Sequence, residues 1–167
     1  MIKTLIADDN FIYIKKFVNN IINKLNNIQI EYICTDGNEV LDIIRKNNFD
    51  LIILDLKMPN LNGIEVIKKI RKIDMINKAK IIIISGDSGL LKYAEINDIV
   101  CKIISKMESD EVIYEKVKEI INQIEYERNY KLVRKKVISE LIALGYNIKH
   151  KGTRYILDVI MYIYRYK

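Results

Sequence analysis

Five short apolar runs punctuate this chain: Ile2–Ala7, Gln29–Cys34, Leu51–Leu54, Lys80–Ile84 and Val100–Ser105. Runs this brief and this rich in Ile and Leu read as strands buried on both faces, the signature of a parallel sheet. Four of them end abruptly in polar residues. Asp8-Asp9 follows the first, Asp55 the third, Ser85-Gly86 the fourth and Lys106 the fifth. In a parallel sheet all carboxyl ends lie along one edge, so these side chains are delivered to one place.

The stretches between the runs have helical spacing. Phe11–Leu25 carries apolar residues at 11, 14, 18, 21, 22 and 25, and Asn38–Lys46 turns Val40, Leu41 and Ile44 inward. A helix using Ile64, Ile67 and Ile70 follows the loop from Met58 to Gly63, and a short helix spans Leu90–Ile96. A further helix begins near Ser109-Asp110-Glu111, where Ser or Asp can cap and the acids suit the helix dipole. Its stripe runs through 113, 117, 120, 121 and 124. Strand and helix alternate five times, which predicts an α/β fold with a parallel sheet covered on both faces.

Half of the 167 residues are apolar, enough for a real core. No apolar run approaches the roughly 18 residues that a membrane span needs. The N-terminus reads as a strand and not as a signal peptide, so a cytoplasmic location and no membrane partner are expected. Cys34 and Cys101 fall in the second and fifth runs, at opposite edges of the predicted sheet, too far apart for a disulfide. Charge divides the chain. Residues 1–127 carry 18 Lys/Arg against 20 Asp/Glu, a net −2, whereas residues 128–167 carry 10 against 2, a net +8. The predicted organisation is a near-neutral domain over 1–127 and a basic helical segment over 128–167.

In the flavodoxin-like strand order 2-1-3-4-5, ligands bind where the winding reverses, outside the ends of strands one and three. That order sets Asp8 and Asp9 beside Asp55. Three crowded carboxylates stay ionised together only if a cation shares them, and oxygen ligands without His or Cys suit Mg²⁺. The Ser85 hydroxyl and the Lys106 ammonium complete a site that can accept a phosphoryl group. Asp55 is the candidate nucleophile, and Lys106, Ser85 and Mg²⁺ neutralise the phosphoryl oxygens.

Over residues 1–127 these motifs resemble the receiver domains of two-component response regulators. Asp8-Asp9 is similar to that family's acidic pair, Asp55 with its loop to Gly63 to the phosphoacceptor, Ser85-Gly86 to the switch hydroxyl and its small neighbour, and Lys106 to the invariant lysine. The resemblance implies that Asp9 and Asp55 bind Mg²⁺ directly, that Asp8 acts mainly through water, and that the Lys57 backbone carbonyl is a further ligand. It implies a sensor histidine kinase or phosphotransfer protein as partner, a homodimer as a further option, and no enzyme activity beyond slow self-phosphorylation and self-dephosphorylation. Two positions depart from the family pattern: Ile103 stands where many receivers have an aromatic, and Met107 where a proline usually follows the lysine.

In the tail, Tyr130, Val133, Val137, Leu141 and Leu144 repeat at helical spacing up to Gly145, a C-terminal stop. Thr153 is then placed to cap a second helix carrying Ile156, Val159, Ile160 and Ile163 on one face. Residues 137–164 resemble the opening of the DNA-binding domain of the stage-zero sporulation protein A family, in Leu144-Gly145, Lys151-Gly152-Thr153, Tyr155-Ile156-Leu157 and Ile160. The helix that reads the major groove in that family lies beyond the matched stretch. DNA contacts are therefore expected only with phosphates, through Lys149, Lys151 and Arg154. The function that follows is a phosphorelay regulator switched at Asp55, in transcription or sporulation control. The alternative is a receiver working through protein contacts alone, as relay intermediate or competitor. An aspartyl phosphatase fits worse, because Lys57 occupies the position where such an enzyme needs a second acid.

Overall fold

The computed structural model describes residues 1–72, 79–94 and 100–166. Five strands, β1 (Ile2–Ala7), β2 (Ile28–Cys34), β3 (Leu51–Leu54), β4 (Lys80–Ser85) and β5 (Val100–Ser105), form one parallel sheet in the order β2-β1-β3-β4-β5. Helices α1 (Phe11–Asn20), α2 (Gly37–Lys46), α3 (Gly63–Ile70), α4 (Ser88–Ala94) and α5 (Asp110–Ala143) alternate with them, and α6 (Lys151–Arg165) follows. All four residues of β3 are buried, as are Ile81–Ile84 of β4, because helices cover both faces of the central strands. Cys34 and Cys101 are free thiols on the two edge strands. Burial pushes the first up to about 12 and the second to about 11, which favours the protonated thiol at both.

Several helices differ in detail from the periodicity. α1 stops at Asn20 and gives way to a 3-10 turn over Ile22–Lys24, so the predicted helix to Leu25 is shorter. Its packed residues are Ile14 and Phe17; Phe11, which the stripe placed inward, is 68% exposed. α3 buries Val66 with Ile67 and Ile70, and α2 buries Val40, Leu41 and Ile44 as the pattern requires. The end of the short helix at Ile96 lies outside the described residues; its described part starts earlier, at Ser88.

Two compact units divide the chain, residues 1–121 and 122–167. α5 runs unbroken through 34 residues, where charge and spacing had suggested two successive helices. No glycine or proline interrupts it between Asp110 and Ala143, so no backbone signal ends it earlier. It ends at Ala143, just before Gly145, whose φ of +86° favours glycine. The amide of Tyr146 donates to the Leu141 carbonyl and that of Gly145 to the Ile142 carbonyl, both at 2.9 Å, a Schellman closure. Within the second unit α6 packs through Leu157 and Met161 on Leu141, Val133 and Val137 of α5, and Thr153 is buried as well. Thr153 thus lies inside the helix, and His150 occupies the N-cap. Ile156, Val159, Ile160 and Ile163 lie on the exposed side.

Two glycines set the spacing around the loop after β3. A Cβ on Gly63 would sit 2.3 Å from the Asp55 carbonyl oxygen, and one on Gly37 would sit 2.1 Å from that of Leu61. The loop is thus held against its own strand on one side and the first turn of α2 on the other. Asn60 tightens this by donating to Asp36, the residue whose side chain caps α2. Gly63→Ala is expected to destabilise the fold by roughly 1–3 kcal/mol, the usual range for forcing extra volume into packed structure. Denaturant unfolding would measure it; a loss below about 0.5 kcal/mol would mean that the loop yields easily.

Candidate functional site

Sheet register brings the polar residues together. β1 and β3 pair with Ala7 opposite Leu54, so the next residue of each strand, Asp8 and Asp55, leaves the sheet at the same level. The Asp55 amide donates to the Ala7 carbonyl at 2.8 Å, extending the ladder into the site. On the other side Ser85 pairs with Ser105, and the Lys106 amide donates to the Ser85 carbonyl at 2.9 Å. Three adjacent strands and β5 thus deliver one acid pair, one single acid, one hydroxyl and one amine to a common edge.

Lys106 ties them. Its Nζ lies 2.6 Å from Asp8 Oδ2 and 2.7 Å from Asp55 Oδ2, with both carboxylates buried. Asp55 Oδ1 accepts from the Leu56 amide at 2.7 Å and the Lys57 amide at 3.3 Å, which fixes the carboxylate plane. Asp8 Oδ1 accepts from the Asn10 amide at 2.9 Å. Asp9 is exposed, yet one carboxylate oxygen from each of Asp8, Asp9 and Asp55 falls within 4.8 Å of the others. The Ser85 side chain is buried, and its Oγ accepts from the Asp87 amide at 3.4 Å. A cavity of about 950 Å³ opens over these groups, lined by Asp9, Asp55, Lys57, Ser85 and Lys106 among others. All six residues singled out by the sequence therefore line this cavity or bond to a residue that does.

Electrostatics follow from the crowding. Three carboxylates face one ammonium, which leaves two formal negative charges in a partly dry site. Burial pushes the Asp8 carboxyl above its ordinary range, against the pull of Lys106 and the Asn10 amide, and the Asp55 charge adds to the rise. For Lys106 burial works against the charge, but hydrogen bonds to Asp55 and Asp8 outweigh it and the ammonium is held above its ordinary value. An all-oxygen set with surplus negative charge has the character of a Mg²⁺ site, with room left for water.

Two members of the site were missed by the sequence reading. Asn10 caps α1, its Oδ1 accepting from the Tyr13 amide at 3.0 Å while its own amide reaches Asp8. The N-cap preference for Asn just before a helical stripe was the available signal. Tyr13 places its ring under the Lys106 ammonium, with Nζ 4.5 Å from the ring centroid. Tyr13 falls outside the apolar stripe of its helix, so nothing in the sequence marked it.

Comparison with known proteins decides the family. A sequence model of the response regulator receiver domain matches residues 4–118, more than half of the chain. This chain belongs to that family. The receiver is 36% identical over 72 residues to sporulation initiation phosphotransferase F of Bacillus subtilis, covering 43% of this chain and 56% of that protein. It is 35% identical over 82 residues to protein-glutamate methylesterase/protein-glutamine glutaminase 1 of Methanospirillum hungatei, covering 49% of this chain and 24% of that protein. The chain thus spans a quarter to about half the length of these two relatives. Among solved structures, the response regulatory domain of mrkE from Klebsiella pneumoniae superposes with a TM-score of 0.66 at 22% identity, covering 74% of this chain and 98% of that one. A LuxR-family DNA-binding response regulator from Staphylococcus aureus gives 0.62 at 26% identity, covering 72% and 98%.

Asp8 supplies a pH test. Because its folded carboxyl is raised, ionised Asp8 opposes folding. That opposition is fully present above the folded value and fades as pH falls through it toward the ordinary carboxylate range. Asp8→Asn is expected to raise the thermal midpoint near pH 7, with the gain shrinking toward about pH 4. A midpoint that falls at neutral pH would show that the Lys106 bond outweighs the burial.

Proposed function

We propose that this receiver accepts a phosphoryl group on Asp55 and is switched by it, within a two-component phosphorelay. The observation that supports this best is the clamp of Lys106 on Asp8 and Asp55, at 2.6 and 2.7 Å, at the mouth of an open cavity. An Asp55 carboxylate oxygen attacks the donor phosphorus, and the bond from phosphorus to the donor nitrogen or oxygen breaks with its electron pair leaving on the donor. The product is an acyl phosphate. The backbone amides of Leu56 and Lys57 hold one carboxylate oxygen in place, so the nucleophile is oriented before the donor arrives. Lys106 and the Ser85 hydroxyl lie at the cavity wall, where they can bond oxygens of the transferred group. Asp8, Asp9 and Asp55, with the Lys57 backbone carbonyl, would hold Mg²⁺, which when bound neutralises charge accumulating on the phosphoryl oxygens.

The phosphodonor is a histidine kinase or a phosphotransfer protein, since receivers work with such partners and one curated relative is itself named a phosphotransferase. The output is carried by the basic second unit, whose resemblance to a sporulation-regulator effector domain points to transcription or sporulation control. Positive charge at Lys149, Lys151 and Arg154 suits phosphate contacts, and one structural neighbour is named a DNA-binding regulator. A cytoplasmic setting agrees with this, and no helix among the described residues is long and apolar enough to cross a membrane. A second reading, a receiver acting only through protein contacts, is favoured by the exposed apolar residues Ile156, Val159 and Ile163. Gel shifts across a salt series separate the two, because sequence-selective binding that survives salt excludes the second.

With a small-molecule phosphodonor and Mg²⁺, intact-mass measurement should show one phosphoryl group per chain. Asp55→Asn and chelation of the metal should each abolish it. Labelling that persists in Asp55→Asn would refute the assignment. Mg²⁺ alone should stabilise the fold by mass action, by about 2.7 kcal/mol at a hundredfold excess over Kd, and so raise the thermal midpoint.

A further inference from the structure

Lys106 has a third neighbour besides its two carboxylates. Its Nζ stands 4.5 Å from the centroid of Tyr13, within the range where an ammonium is attracted to an aromatic face. The ring is fixed from two directions. Its backbone amide is held by Asn10, the N-cap of α1, and its face stacks on Phe17 with centroids 6.1 Å apart and planes 20° from parallel. Asn10 in turn donates to Asp8, and Asp8 bonds Lys106, so the contacts close a ring: Asp8, Asn10, Tyr13, Lys106 and back to Asp8. The Tyr13 hydroxyl is buried with no hydrogen-bond partner among the described residues. A phenylalanine would pack without that burden, so the hydroxyl does not explain the residue's place; the ring under the ammonium does.

We propose that Tyr13 is a positioning residue for Lys106, its ring face holding the ammonium over Asp8 and Asp55 in the geometry needed for phosphoryl transfer. This rests on the assignment of Asp55 as phosphoacceptor. Lysine carries a flexible four-carbon stem and a rotatable ammonium, so its placement depends on what surrounds the head group. Carboxylates alone pull it toward whichever acid is less well neutralised. A ring beneath it adds an attraction that does not depend on which oxygen takes up the phosphoryl group. The Tyr13 hydroxyl makes no hydrogen bond to Asp55 or Asp8, and the effect of the ring runs through Lys106.

The test uses the full chain, a small-molecule phosphodonor and Mg²⁺, with the labelling rate read by intact mass. Tyr13→Phe keeps the ring and should retain the rate within about twofold, whereas Tyr13→Leu should lose about three- to tenfold, the range of a partly dry cation–π contact. In the wild type, the Lys106 ε-methylene protons should show an upfield ring-current shift by NMR that survives in Tyr13→Phe and vanishes in Tyr13→Leu. Equal rates in the wild type and Tyr13→Leu, or an equal loss in both variants, overturns the proposal. Absence of the ring-current shift in the wild type overturns it even if Tyr13→Leu fails to fold. Failure of the phosphoacceptor assignment looks different: the wild type itself would not label, or Asp55→Asn would label as well as the wild type.

Discussion

The bond from Lys106 to two buried carboxylates organises this molecule's chemistry. Bringing Asp8 and Asp55 to the ends of paired strands would by itself set like charges in a poorly solvated cleft. The ammonium, 2.6 and 2.7 Å away, offsets part of that repulsion and leaves the site short of positive charge by two units. A site in this condition has the oxygen donors and the surplus negative charge that suit a divalent cation, and one carboxylate held in plane by backbone amides. The parallel sheet makes it possible, because only there do residues 8, 55 and 106 emerge side by side.

The sheet and most of this site were readable from sequence for the same reason. A strand buried on both faces tolerates only apolar residues, so Ile52, Ile53 and Ile81–Ile84 announce themselves, and the first polar residue afterwards marks the sheet's edge. Asp8, Asp55, Ser85 and Lys106 all stand at such a transition. Helical positions were less legible. Phe11 fitted the periodic stripe but faces outward, because the helix starts at its own position and its packed residues begin one turn later, at Ile14 and Phe17.

α6 shows a different failure. Its apolar residues cover most of its circumference, so two overlapping faces satisfy the helical period, and spacing alone cannot choose between them. The structure buries Thr153, Leu157 and Met161 and leaves the isoleucine-rich face exposed. The length of α5 was hidden for a related reason. A shift from neutral to basic composition near residue 127 suggested a boundary, but charge changes without a glycine or proline leave a helix free to continue. Tyr13 was invisible because its role depends on a side chain 93 positions later in the chain, Lys106.

The two glycines that bracket the segment after Asp55 carry an implication for how this protein can change over time. Gly63 lies against the backbone of residues 55 and 56, and Gly37 against that of Leu61, so the intervening turn has no slack on either side. The exposed side chain of Lys57 can be exchanged at the surface, but extra length has nowhere to go. Diversification among descendants should therefore proceed here by replacement alone, with insertions accumulating at other connections of the fold.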